Sequence, residues 1–257
     1  MSKEPSSKPA RDPQRTRARI LHAAEVLFAN RGYAATRVQE IADRARINKR
    51  MLYHYFGNKL GLYEAVATLN FREILEGAAR AGGRAFASEG PVAGLAALIA
   101  AYFDAINAHP RYMKFLAWES AAGWTVMNGI EHGALDELRT TFIEILRAGI
   151  RGGEFDASVE PESAWSYLVG VPAFYFIYRP RLQLYWEGDL SEPEMVASFR
   201  QEIIHFALKA VGARPDPYLL ARVTRSDAAG AVALSRRRGG RGERPGRDQQ
   251  AEPAAAR

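Results

Sequence analysis

The sequence predicts an all-α protein: an N-terminal three-helix helix-turn-helix domain joined to a larger helical domain, about nine helices in total. Three observations carry this. Apolar residues recur at helical spacing from Ile20 onward. Capping residues, prolines and glycines fall at the breaks between those patterns. Alternating strand sequence bounded by hairpin turns is not present.

Each element follows in order. Residues 1–11 are rich in Ser, Pro, Lys and Arg and are expected to form a disordered basic arm. Asp12-Pro13 supplies an N-cap followed by a proline at the first helical position. Ile20, Ala23, Ala24, Leu27 and Phe28 then fall on one face of the first helix, and Gly32 lies just past its end. Thr36 with Gln39 predicts a capping box opening a second helix of about nine residues, with Val38, Ile41, Ala42 and Ala45 facing inward. Asn48 caps the third helix, and Leu52 with Tyr55 or Phe56 completes a small core. Residues 12–57 thus form the first domain.

Gly57 ends the third helix and Asn58 caps the next. A connecting helix is predicted over 58–81, ended by Gly82-Gly83. Further helical patterns run through 91–108, 110–121, 127–151, 160–182 and 191–212, completing a second domain over 58–214. Gly90-Pro91 and His109-Pro110 mark two of the starts. Ser191 with Glu194 predicts a further capping box, with Pro193 tolerated in the first turn. Residues 215–257 form a basic tail, low in complexity from Arg236 to Arg247 and expected to be disordered. It reads as a solubilising extension or as a reinforcement of nucleic-acid association.

The net charge of +6 is unevenly spread. Residues 1–64 carry 13 Lys and Arg against 6 Asp and Glu, residues 65–221 carry 13 against 19, and residues 222–257 carry 9 against 4. A basic head, an acidic body and a basic tail suggest a polyanion-binding module attached to a body with another task. The chain has no cysteine, which excludes disulfides, thiolate metal sites and cysteine nucleophiles. His22, His54, His109, His132 and His205 lack partners at zinc-site spacing, so no metal and no cofactor is expected. Residues 65–214 contain no phosphate-cradling glycine loop and no nucleophile elbow, so the chain is not expected to be an enzyme. Met1 to Arg19 lacks an apolar signal region, and no apolar run reaches the roughly 18 residues of a membrane span. A cytoplasmic location is expected.

Two short helices on a tight connector form a helix-turn-helix pattern, and the second projects Lys49, Arg50, Met51 and His54 away from the core. Such a helix can enter a major groove. The string from Thr16 to Val66 resembles the DNA-binding domain of TetR family transcriptional regulators. The matching residues include Ile20, Ala23-Ala24, Leu27-Phe28, Gly32-Tyr33, Thr36, Ile41-Ala42, Ala45, Ile47, Lys49, Leu52-Tyr53, Tyr55-Phe56, Lys59 and Leu62. The resemblance implies that Thr36, Tyr53 and Lys59 contact phosphates. Lys49 and Arg50 are candidates for base edges, since Arg pairs in bidentate fashion with guanine. Met51 touches a thymine methyl or belongs to the core, and His54 bonds a phosphate, a base or the helix end. Two departures stand out: Arg46 replaces the family's usual glycine in the turn, and Arg50 replaces a small residue.

The body carries an aromatic-rich segment from Trp165 to Tyr185. Aromatic residues at consecutive positions imply burial on more than one side, one able to pack on the body and another open to a partner subunit. The resemblance implies a homodimer through helices near 160–182 and 191–212. It also implies a ligand cavity in the body, a palindromic double-stranded DNA operator and a repressor released by a small-molecule effector. Candidate pocket residues are Phe103, Phe115, Trp118, Glu119, Trp124, Phe142, Tyr167, Phe174 and Tyr178. Glu119, set among apolar residues, faces a cavity or the surface. Two other readings are a nonspecific charge-driven nucleic-acid binder and an all-α enzyme acting on an apolar substrate, with Glu119 as its candidate acid.

Overall fold

The computed structural model describes residues 12–127 and 133–214. The expectations for the arm, for the tail and for His132 lie outside these residues. Among the described residues the chain forms nine α-helices and no strand. Helix α1 (Pro13–Ala35) starts where Asp12 Oδ1 accepts the amides of Gln14 at 2.9 Å and Arg15 at 3.3 Å. α2 (Val38–Arg44) and α3 (Lys49–Phe56) follow, with Asn48 Oδ1 accepting Met51 N at 2.8 Å. α4 (Lys59–Glu89) opens with Asn58 Oδ1 accepting Gly61 N at 2.8 Å. α5 (Pro91–Ala108) and α6 (Pro110–Ala121) each carry proline in the first turn. α7 (Gly133–Gly152), α8 (Pro161–Leu182) and α9 (Pro193–Ala210) complete the body.

Three local expectations are corrected. α2 spans seven residues and begins after Arg37, not Thr36. The reciprocal bond comes from Arg37 N, which donates to Glu40 Oε2 at 3.1 Å. Thr36 instead turns inward and donates its hydroxyl to Gly32 O at 2.7 Å. The Ser191–Glu194 box is not formed: α9 starts after Glu192, and Ser191 Oγ donates to Asp189 Oδ1 at 2.6 Å. Gly82-Gly83 does not end α4, which continues to Glu89. Of the helix predicted over 127–151, residues 128–132 lie outside the described residues, and α7 is described from Gly133.

The reason at Gly82 is tertiary. A Cβ on Gly82 would lie 2.7 Å from Leu98 Cβ, and one on Gly94 would lie 2.7 Å from Phe86 Cβ. The two glycines let α4 and α5 approach closely, and the hairpin turns at the single residue Gly90.

Two cores result. The head core joins Ile20, Ala24, Phe28, Ile41, Leu52, Leu62, Tyr63 and Val66 with Phe115 of α6 and Met127. The body core gathers the second half of α4 with α5, α7, α8 and α9 around Leu95, Leu98, Ile99 and Phe103. α5 is its axis, with ten of its eighteen residues buried. It is also the one helix among the described residues long and apolar enough to cross a membrane. A largely buried ion pair ties α9 to α5: Arg200 Nε and Nη2 donate to Asp104 Oδ1 at 2.7 Å and Oδ2 at 2.8 Å.

Candidate nucleic-acid interface

The turn between α2 and α3 is built on Ala45, Arg46 and Ile47. Ile47 N donates to Ala42 O at 3.0 Å, and Arg46 N donates to Asp43 O at 3.0 Å. Arg46 itself holds a φ of 51°, in the left-handed region. The family's glycine geometry is therefore kept without the glycine, at a cost of about 1 kcal/mol. Arg19 of α1 braces the strained turn, its Nη2 donating to the carbonyls of both Ala45 and Arg46, the latter at 3.1 Å. Arg19 escaped the sequence reading because nothing local links it to residues 26 positions away.

Ala45, Ile41 and Leu52 anchor α2 and α3 inward, which leaves the outer face of α3 in solvent. Lys49, Arg50, Tyr53 and His54 are exposed there. Lys49 Nζ lies 5.6 Å from the centre of the Tyr53 ring, one turn along the helix. His54 meets Tyr55 edge-on at 5.6 Å. Met51 is half-buried, between its two expected roles. Lys59 sits at the start of α4 with Nζ 4.4 Å over the Tyr33 ring and 3.4 Å from Ala34 O. Partial burial lowers its pKa.

Thr36 is placed differently from the rest. It is buried, and its hydroxyl donates to Gly32 O. It therefore has no proton to offer a phosphate, and its side chain acts as a strut beneath α2. The exposed cation at that helix entrance is Arg37. Beside it, Glu40 accepts Arg31 Nη1 at 2.7 Å as well as the Arg37 amide. The Arg37 amide first, and then Arg31, hold the Glu40 carboxyl below its ordinary pKa.

The nine expected pocket residues are not brought together. Phe103 and Phe142 are core residues, packed against Phe176 at 4.9 Å and Trp165 at 5.4 Å respectively. Phe115 stacks on Tyr63 at 4.5 Å in the head core. Trp118 lies against α1, with Nε1 donating to Ala29 O at 3.2 Å. Trp124 is exposed in the turn after α6, at a φ of 60°. Tyr167, Phe174 and Tyr178 are exposed on α8, the last two stacked at 4.4 Å. Glu119 is buried, accepting a hydrogen bond from the Tyr63 hydroxyl and one from Met127 N at 3.1 Å. Burial and this carboxylate push the Tyr63 pKa up.

A cleft in the body lies between α4 and α7. It has a volume of about 250 Å³ and is lined by Phe71, Leu75, Met127 and Leu135, with Arg72 and Glu76 also in its wall. Glu76 accepts Arg72 Nε and Arg80 Nη1, both at 3.1 Å. Phe71 is steadied from behind by Tyr112, edge-on at 5.0 Å. In the sequence the lining residues fall within the helices predicted over 58–81 and 127–151, with nothing local to mark them. Only the placement of α7 against α4 turns them into a wall. Among the described residues no group of three His, Asp or Glu is placed to hold a metal ion.

Comparison with known proteins matches both parts. A family model described as bacterial regulatory proteins, tetR family, covers residues 20–66. A second, described as a tetracyclin repressor-like C-terminal domain, covers 91–206. The HTH-type transcriptional repressor KstR2 of Rhodococcus jostii is 31% identical over 158 residues, 59% of this chain and 74% of that protein. The repressor NicS of Pseudomonas putida is 26% identical over 209 residues, 79% of this chain and 95% of the relative. The repressor SCO4008 of Streptomyces coelicolor is 34% identical over 129 residues, and the chain spans 56% of its length. Among solved structures, a tetR-family regulatory protein from Rhodococcus RHA1 superimposes with a TM-score of 0.62 at 18% identity, covering 78% of this chain and 98% of that one. The fatty acid degradation regulator FadR of Bacillus halodurans gives 0.61 at 16% identity, covering 83% and 100%. These structures share the fold.

Proposed function

The chain belongs to the TetR family of bacterial regulatory proteins, and on that premise we propose that it is a homodimeric repressor released from a palindromic operator by a small apolar effector. The single observation that carries the DNA-reading part is the exposed face of α3. It presents Lys49, Arg50, Tyr53 and His54 to solvent on a helix fixed from behind by Leu52. Arg50 and Lys49 take base edges, and Tyr53, Lys59 and Arg37 take phosphates. Met51 and His54 flank the same face. Thr36 serves from inside, holding the end of α1 beneath the entrance of α2.

Dimerisation is supported by surface left uncovered on α8 and α9. Phe174 and Tyr178 are about half exposed, as is Phe206 on α9. Apolar area of that kind on adjacent helices suits a second copy related by a two-fold axis. Effector binding is supported by the α4–α7 cleft, whose wall is mainly apolar with the Arg72–Glu76 pair alongside. The enzyme reading loses its candidate acid: Glu119 does not line that cleft, and its two oxygens accept bonds from Tyr63 and Met127.

The test is a selection of genomic DNA fragments by the purified chain at near-physiological salt. Enriched fragments sharing a short inverted repeat support a dimeric sequence reader. Enrichment without a shared motif leaves charge-driven binding in its place. An Arg50→Ala variant should then lose discrimination between sequences, whereas a purely electrostatic contact would cost affinity evenly across them.

A further inference from the structure

The head and the α4–α7 cleft meet at one buried carboxylate, and we propose that Glu119 is the positioning residue through which occupancy of the cleft reaches the DNA-binding head. The inference rests on the regulatory reading above.

Glu119 is one of three buried polar or charged side chains among the described residues, with Thr36 and Arg200. Its two oxygens are divided between two structural units. Oε1 takes the hydroxyl of Tyr63 on α4, and Oε2 takes Met127 N, 3.1 Å away in the segment after α6. Met127 is also a wall residue of the cleft, beside Phe71 and Leu135. A molecule that pushes Met127 aside therefore pulls on a bond that ends at Glu119.

On the other side, Tyr63 lies at the centre of the head's aromatic cluster, 4.8 Å from Phe28, 5.0 Å from Tyr33 and 4.5 Å from Phe115. The residue before Glu119 is Trp118, whose indole covers Gly32. A Cβ there would lie 3.0 Å from the ring. Gly32, at φ 70°, is the point where α1 breaks, and its carbonyl holds Thr36 just ahead of α2. A path of direct contacts thus runs from Met127 through Glu119 to the base of the helix-turn-helix.

The segment that would move is held against its own preference. Trp124 has a φ of 60°, a region that bulky side chains rarely adopt. Its amide donates to Glu119 O at 2.8 Å, so residue 119 grips this turn by backbone and side chain together. Breaking the Met127 bond leaves a buried carboxylate oxygen short of a donor, which is costly. The arrangement therefore favours two discrete states over a gradual shift, as transmission between distant sites requires.

Because the chain has no cysteine, Leu135→Cys creates a single attachment point on the cleft wall. Benzyl methanethiosulfonate then serves as the occupant, with unlabelled Leu135→Cys as reference. Two readouts follow: the ¹⁹F resonance of 5-fluorotryptophan at Trp118, assigned with Trp118→Phe, and affinity for the selected DNA by fluorescence anisotropy. Labelling should shift the Trp118 resonance and weaken DNA binding by about tenfold, within the ordinary range of coupling between sites. Adding Glu119→Gln, whose amide keeps one acceptor oxygen in place of two, should cut the DNA effect below about threefold and abolish the label-induced shift of the Trp118 resonance. Tyr63→Phe keeps the ring stack, removes one donor and decides the matter if Glu119→Gln does not fold. An equal label effect in the folded variants, or a Trp118 resonance indifferent to the label, overturns the proposal. If the unmutated chain selects no DNA sequence, the regulatory reading fails by itself, and the resonance alone decides the coupling.

Discussion

Arg200→Met should destabilise the chain by about 2–3 kcal/mol. The Arg200 and Asp104 side chains are 9% and 18% exposed, so the pair lies largely out of water between α5 and α9. Its two bonds, at 2.7 and 2.8 Å, are the bidentate geometry in which a guanidinium satisfies both carboxylate oxygens. Methionine keeps much of the arginine's apolar stem but leaves the carboxylate of Asp104 in place. Breaking a fully buried pair costs about 3–5 kcal/mol, and the residual water at Asp104 sets the lower figure used here. For a chain of this size that corresponds to a fall of roughly 4–12 °C in Tm. Replacing both residues, Arg200→Met with Asp104→Leu, removes the stranded charge and should recover most of the loss. Urea unfolding followed by far-ultraviolet circular dichroism, at fixed protein concentration, gives the full double-mutant cycle. A loss below about 1 kcal/mol for the single variant would mean that the pair behaves as an exposed one. A double variant no better than the sum of the two singles would refute the stranded-charge argument outright.

Arg46→Gly should stabilise the head by up to about 1 kcal/mol, since glycine adopts the left-handed turn without the side-chain penalty; amide exchange of α2 and α3 reads this. Glu40 titrates below its ordinary value, so the hold it gives the entrance of α2 is full above about pH 4.5 and is lost as pH falls through the lowered pKa. Exchange of the Val38–Arg44 amides should accelerate in that acid range, and no change there would count against the Arg37–Glu40 bond. Phe174→Glu places a charge on the exposed stack of α8 and should shift the chain toward monomer in sedimentation equilibrium, with little effect on monomer helicity.

The helix starts were legible because caps are local. Asp12, Asn48 and Asn58 each accept an amide two or three residues ahead, and a short window holds everything needed to see it. Thr36 misled for a physical reason. A hydroxyl can bond forward to a helix or back to a carbonyl, and the break at Gly32 supplies a carbonyl within 2.7 Å. Gly82-Gly83 read as a stop because glycine is costly inside an isolated helix. The compensation is the close approach of Leu98, which belongs to another helix. On the outer face of α3, the pattern itself led to the exposure of Lys49, Arg50 and His54, whereas Met51, read on the same face, is half-buried, and Tyr53 entered only through the family resemblance. The cleft was not found, because Leu75 and Leu135 become neighbours only through the packing of α7 on α4. Glu119 stood out in the sequence as a carboxylate among apolar residues. Its two partners, 56 and 8 positions away, did not.

The close α4–α5 contact also bears on how the chain survives its own synthesis. α5 is the most apolar of the long helices, and free in water it would be a site for aggregation. Its first partner is the element made immediately before it, across the one-residue connection at Gly90. Gly82 against Leu98 and Gly94 against Phe86 allow the hairpin to close through contacts near in sequence, which form fast. α9, which covers another side of α5, begins only at Pro193 and must wait for translation to reach it. The two glycines therefore shorten the interval in which a nascent chain exposes its stickiest helix. A bulkier residue at either position should reduce the yield of folded protein in the cell before any loss of equilibrium stability is measured in the purified chain.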